Sequence, residues 1–288
     1  MRKSKVVDKI LNYHPILENY QGCDGYKSGF EDEVCTGIAA ALVPTVEVIH
    51  KAVSKGCNLL IVHEPCFYQG PDFAGWRGSF ANSVYEEKAR LIEENHLTIW
   101  RDHDHMHAHC PDSIFTGVIK YLGWEEYYRP EMAGGLGLVY PFEIPQTTVG
   151  ALGEFLKSKL CLNGLRFLGR KDDRITRVAI AGHLYPNCFF KDGIDEAGYY
   201  RDYSMQIMEL MEKENGIEAI IPGEVVEWTV LAYIRDAVAQ GKVRACMNIG
   251  HFNMEELGMR YAKDWLEELT GGKVAVHYIP TGDGYCYL

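Results

Sequence analysis

The chain has no cluster of lysine and arginine, no long apolar run and no paired-cysteine motif, and each absence removes a class of function. Lysine and arginine number 29 against 40 aspartates and glutamates, a net charge of −11, and no basic stripe interrupts that balance. A nucleic-acid partner is therefore not expected, because phosphate-backbone binders gather basic residues on one face. No stretch approaches the roughly 18 uncharged apolar residues of a membrane span, so no membrane partner is expected either. The opening residues 1–16 carry positive charge, but Asp8, Lys9, Asn12 and His14 interrupt any apolar signal-peptide core. The nine cysteines are odd in number and nowhere spaced CxxC, which argues against a disulfide framework and against a thiolate zinc ribbon. A reducing, cytoplasmic location is the expectation. With sulfur set aside, metal chemistry falls to His, Asp and Glu. A GxSxG nucleophile motif and a P-loop are also missing. Gly134-Gly135-x-Gly137 is no dinucleotide fingerprint, since no strand leads into it and no helix follows.

What is present is a globular composition, 47 % hydrophobic and 24 % charged, in alternating segments. Apolar or β-branched runs at 36–43, 58–62, 97–100, 177–181, 216–221, 243–249 and 273–279 read as strands. Segments 46–55, 83–94, 114–122, 149–160, 203–213, 225–239 and 254–269 carry the helical period. The alternation predicts an α/β fold of two interlinked domains with mixed sheets flanked by helices, and a metal site at strand carboxyl ends in the cleft. Residues 127–145, with their glycines and prolines, read as a boundary or crossover. The expected division is a discontinuous metal-binding domain, 1–125 with 242–288, and a second α/β domain, 126–241. The loop 68–82 is long, glycine-rich and aromatic and reads as a lid. Phe67, Tyr68, Phe73 and Trp76 either pack there or offer faces to a planar heterocycle.

Three segments carry the chemistry. Val62-His63-Glu64-Pro65 delivers a histidine and a glutamate where an apolar strand ends, the place at which open α/β sheets collect ligands. Residues 103–109 hold His103, Asp104, His105, His107 and His109 just past another short strand. Imidazole and carboxylate at that density are standard ligands of divalent transition metals; the alternative is a solvated histidine loop. Third, His251 and Glu255 stand one helical turn apart after a strand ending near Gly250, so they can share an ion, or can simply decorate a helix N-terminus. Because all three follow strand carboxyl ends, parallel neighbours would bring them into one site. Glu224, at a fourth strand end, either orients a ligand imidazole or favours the start of a helix. His183 is a candidate substrate-cleft residue, while His14, His50, His96 and His277 read as ordinary histidines.

These segments resemble the Nif-three-like family, which includes the YbgI-like dinuclear metal-binding proteins and proteins named type 2 GTP cyclohydrolase I. The family's HHP signature is similar to His63-Glu64-Pro65, and its HTNLD segment falls on His103-Asp104-His105-Met106-His107. Its GHxxxE motif is matched by Gly250-His251-Phe252-Asn253-Met254-Glu255, and its TGE strand end resembles Pro222-Gly223-Glu224. The resemblance runs over about residues 6–269. It implies two divalent ions (Zn, Fe, Mn or Mg) held by His63, Glu64, His107, His251 and Glu255, with His103, Asp104, His105 and Glu224 as supporting or alternative ligands. Glu64 stands where the family has histidine and His107 where it has aspartate, so the donor inventory is kept while two positions exchange. The resemblance further implies a homo-oligomer, hexameric in the family. As a function it implies a dinuclear metal-dependent hydrolase, cyclohydrolase-like, acting on a purine nucleotide or another small heterocycle. The competing reading is a non-enzymatic metal-binding regulatory or interaction protein.

Overall fold

The structure, a computed structural model, describes residues 1–72, 80–185 and 192–288. The chain begins with α1 (Lys3–Tyr13), β1 (Gly25–Tyr26), β2 (Ile38–Ala41), α2 (Val46–Ser54), β3 (Leu59–Val62) and α3 (Ser83–Glu94). β4 (Thr98–Arg101), α4 (Asp104–Ala108), α5 (Ser113–Leu122), β5 (Val139–Thr148), α6 (Val149–Lys159), β6 (Arg166–Leu168) and β7 (Arg174–Ala181) follow. The remainder is β8 (Gly193–Ile194), β9 (Tyr200–Arg201), α7 (Tyr203–Glu212), β10 (Ala219–Pro222), α8 (Ala232–Ala239), β11 (Ala245–Asn248), α9 (His251–Thr270) and β12 (Val276–Tyr278). Two compact units divide it: Met1–Val118 with Glu255–Thr281, and Ile119–Met254 with Gly282–Leu288.

The first unit is built on a sheet in the order β1-β4-β3-β2-β12. β4, β3, β2 and β12 run parallel, and β1 closes one edge antiparallel to β4. Every residue of β2, β3 and β4 is buried, which is why these strands read as continuous apolar runs and not as alternating ones. α2 starts where the Thr45 side chain accepts from the Val48 amide at 3.2 Å and stops at Gly56, whose φ of +74° suits glycine. It buries Val48, Ile49 and Ala52, which join Leu60, Val62 and Ile99 in one apolar cluster.

The second unit's sheet has the order β5-β7-β10-β11-β6, with β7, β10 and β11 parallel and both edges antiparallel. This is the expected mixed α/β class. Three local expectations need correction. Within 127–145, residues 139–145 belong to β5, whose Pro141 and Pro145 sit in a strand at the sheet edge. Proline cannot donate to a ladder, so it reads as a breaker in sequence yet is admitted at an edge. The segment 225–239 is not one helix: Glu227–Leu231 is a wide helical turn with Thr229 at φ −97°, ψ −117°, and α8 follows it. Finally, β11 pairs with β10 and β6, so residues 242–254 go with the second unit and not with the first. Among the described residues no helix is long and apolar enough to cross a membrane.

Candidate metal centre

β3 and β4 are parallel neighbours in register Val62↔Arg101, so the residues just past both strands emerge together. The Leu42 carbonyl accepts from the amides of His63 (3.1 Å) and Glu64 (2.9 Å), and the Asp102 amide donates to the Val62 carbonyl at 2.8 Å. The His63 ring is then fixed: Nδ1 donates to the Asp102 carbonyl at 3.2 Å. Its Nε2 is buried without a hydrogen-bond partner, although Glu255 Oε2 lies 3.3 Å away; the close approach is an electrostatic contact lacking hydrogen-bond geometry.

α4 supplies the next two imidazoles. His103 Nδ1 donates to Asp104 Oδ1 at 2.8 Å and His107 Nδ1 donates to Asp112 Oδ2 at 2.9 Å. Each of the three rings therefore has Nδ1 committed to an acceptor, which selects the tautomer that presents an Nε2 lone pair, the arrangement found in metal-bound histidines. The ring centroids of His63, His103 and His107 are 4.4 to 4.9 Å apart, and their candidate ligand atoms lie within 4.8 Å of one another. His63, Glu64 and Glu255 form a second such group, all three residues buried. Burial, followed by the neighbouring His63, holds the His103 imidazole below its ordinary pKa. Burial pushes His107 the same way, but its hydrogen bond to Asp112 and the charges of Asp112, Glu255 and Glu64 outweigh it and the net direction is upward.

The donor set fits a divalent ion. Two carboxylates buried together repel each other and lose hydration, a cost that a shared cation offsets. Three imidazoles beside them complete a mixed nitrogen and oxygen set suited to Zn, Fe or Mn. Asp104, an alternative ligand by sequence, is engaged as a support: besides His103 it accepts from Tyr20 Oη (2.6 Å) and the Cys23 amide (3.2 Å). The bond from His103 is the main cause that holds its carboxyl well below the usual carboxylate range. His105 Nδ1 is bonded to Asp24 Oδ2 at 2.7 Å.

Sequence reasoning misses Asp24. Its Oδ1 accepts from the amides of His103 (2.7 Å) and Asp104 (3.0 Å), and its Oδ2 from the amide of His105 (2.9 Å). Burial opposes ionisation of Asp24, but these bonds prevail and its pKa is lowered. One buried carboxylate thus fixes the first turn of α4. Asp112 is also missed; its Oδ1 caps α5 at the amides of Ile114 (2.9 Å) and Phe115 (3.0 Å) while Oδ2 holds His107. An Asp before Ser113 at a helix start is the signal that could have found it. His14, read as ordinary, is buried and donates from Nε2 to Asp102 Oδ2 at 3.1 Å, bracing the residue whose carbonyl orients His63.

A second cluster lies in the other unit. His183 follows β7, Glu224 follows β10 and His251 follows β11, three parallel strands. The Glu224 amide donates to His183 Nδ1 at 3.0 Å, and His251 Nδ1 stands 3.6 Å from Glu224 Oε1. The structure therefore gathers His63, Glu64, His103, His107 and Glu255 in the first unit, and His183, Glu224 and His251 in the second. In the aromatic loop, Phe67 is buried against Tyr85 as part of the core, Tyr68 is exposed, and Phe73 and Trp76 lie outside the described residues.

The sequence profile of Duf34/NIF3 (NGG1p interacting factor 3) matches residues 4–183. The chain belongs to the Duf34/NIF3 family. That span takes in the strand ends bearing His63 and His103 and stops before Glu224. A Clostridium acetobutylicum protein named GTP cyclohydrolase 1 type 2 homolog is 23 % identical over 237 residues, which is 80 % of this chain and 76 % of that one. A Chlamydia muridarum protein of the same name is 23 % identical over 236 residues, 77 % of this chain and 90 % of its own. Among solved structures, a Bacillus cereus protein related to NIF3 aligns over 100 % of this chain and 99 % of that one, with a TM-score of 0.71 at 14 % identity. That likeness shows the shared fold.

Proposed function

We propose that this chain is a divalent-metal-dependent hydrolase of the Duf34/NIF3 type, with its metal centre formed by His63, Glu64, His103, His107 and Glu255. The observation that carries this reading is His63 Nε2, buried without a hydrogen-bond partner beside the carboxylate of Glu255. One or two divalent ions there (Zn, Fe or Mn before Mg, given the imidazole share) supply Lewis acidity and make a water acidic near neutral pH. The chain's own part is orientation and burial. The Asp102 carbonyl, Asp104 and Asp112 hold three imidazoles in one tautomer, and Arg101 Nη2 lies 3.7 Å from Glu64 Oε2. The substrate is a small molecule with a hydrolysable carbon–nitrogen bond, the class to which the relatives' cyclohydrolase name points. A cytoplasmic homo-oligomer, hexameric by resemblance, completes the proposal, and sedimentation as a monomer would remove that last element. The test of the centre is elemental analysis of protein purified with added Zn, Fe or Mn. At least one tightly held ion per chain is expected, and His63→Ala should lose nine-tenths of it while keeping its far-ultraviolet circular dichroism. No retained metal in the wild type sinks the proposal.

A further inference from the structure

Beyond the metal cluster, the second unit contains a cavity of about 880 Å³, within the size range of small-molecule sites. Its walls include the residues just past β10 and β11 (Gly223, Glu224, Gly250 and His251), the carboxyl-end position at which parallel sheets bind ligands. Four aromatic side chains, Tyr185, Phe252, Tyr285 and Tyr287, also line it. Tyr285 is 72 % exposed, Tyr287 50 % and Phe252 44 %, a concentration of exposed rings around one opening that a packed core does not need. The tail bearing the two tyrosines is held in place: Asn163 Nδ2 donates to the carbonyls of Asp283 (3.3 Å) and Tyr285 (2.8 Å). The Tyr287 ring packs so closely on Gly164 that a Cβ there would meet it at 2.7 Å.

The charge of the cavity selects among ligands. Arg166 is the one lysine or arginine among its described lining residues, and Glu227 lies 3.6 Å from it. Glu224 and Asp283 add two further carboxylates. Such a wall repels a triphosphate, and the chain has no P-loop to compensate. A planar ring is different: its faces stack on tyrosine and phenylalanine, and its ring or exocyclic N–H groups can donate to the Glu224 carboxylate.

We infer that this cavity binds a planar, phosphate-free nitrogen heterocycle carrying N–H donors, stacked on Tyr285 and its neighbouring rings with its polar edge toward Glu224. The inference rests on the hydrolase reading only for the fate of the ligand. Binding is therefore measured in chelator-treated protein, so that a failed metal analysis and a failed ligand titration are separate results. The probes are guanosine, adenosine and cytidine, each titrated against its own 5′-triphosphate by calorimetry. The expected result is saturable binding of at least one nucleoside, at least ten-fold tighter than its triphosphate. Guanosine should lead, since its ring N–H and amino group stand side by side for one carboxylate. Tyr285→Ala and Glu224→Gln, both at exposed positions, should each weaken binding ten-fold or more with thermal stability unchanged. The inference is overturned if a triphosphate binds as tightly as its nucleoside, if none of the three nucleosides binds at millimolar concentration, or if both variants bind like wild type.

Discussion

Asp112 joins two tasks in one side chain, with Oδ1 on the amides that open α5 and Oδ2 on the His107 ring. Asparagine caps helices about as well as aspartate but gives the imidazole a weaker, uncharged acceptor. Asp112→Asn should therefore leave the melting temperature nearly unchanged while lowering metal affinity about 10- to 100-fold, the usual cost of losing such a support. The same pair sets a pH dependence. His107 binds its proton more tightly than an ordinary imidazole, and protons compete with metal for it. Metal affinity should fall on acidification from a pH above the usual histidine range, and Asp112→Asn should move that midpoint downward, as metal titrations across pH would show. Asp24 has the opposite sign. Its folded pKa is depressed, so its stabilisation is complete above the unfolded value of about 3.9 and is lost as pH falls through the folded one. Asp24→Asn should cost about 1–3 kcal/mol at neutral pH, measured by urea unfolding, and should reduce the acid sensitivity of what remains.

At the scale of elements, the strand ends are legible because short unbroken apolar runs bounded by turn residues fit buried strands, and Pro65 marks where one stops. The density of histidine in 103–109 is equally plain. Which of those rings turn inward is not, since that depends on Asp24, 79 residues from His103 in sequence, and no local pattern encodes such a contact. His183 and Glu224 are brought together by parallel pairing of β7 with β10, again a non-local event. Glycine within a helix is also mute in sequence, yet Gly258 of α9 is decisive: a Cβ there would lie 2.8 Å from both Cα and O of Ile114 in α5. Helix propensity alone would reward Gly258→Ala by up to about 1 kcal/mol. The obstructing atoms are backbone and cannot rotate away, so the clash should win and destabilise the protein by about 1–3 kcal/mol. Glu255 sits one turn earlier on the same helix, so thermal melts of this variant should show both a lower midpoint and a smaller stabilisation by added metal than wild type.

At the scale of the molecule, each unit repeats one plan, a five-stranded mixed sheet with three parallel strands at its centre and an antiparallel strand on at least one edge. The repetition explains why the α/β class is readable from alternation alone while the division is not, for the chain leaves the first unit within α5 and re-enters it within α9. The first unit accordingly lacks Met259, Ala262, Trp265 and Leu266, all buried, if it stops at Val118. A fragment of residues 1–118 should show no cooperative thermal transition by calorimetry, in contrast to the full chain.

The anchoring of each imidazole through Nδ1 has a consequence for how such chains vary. An imidazole at 107 needs a partner to choose its tautomer, whereas an aspartate in the same place would not. Relatives with histidine at the position of His107 should therefore keep a carboxylate at the position of Asp112, and relatives with aspartate there should tolerate Ser, Thr or Asn, which still cap a helix. Drift at one position is thus licensed by the other, and the two should change as a pair.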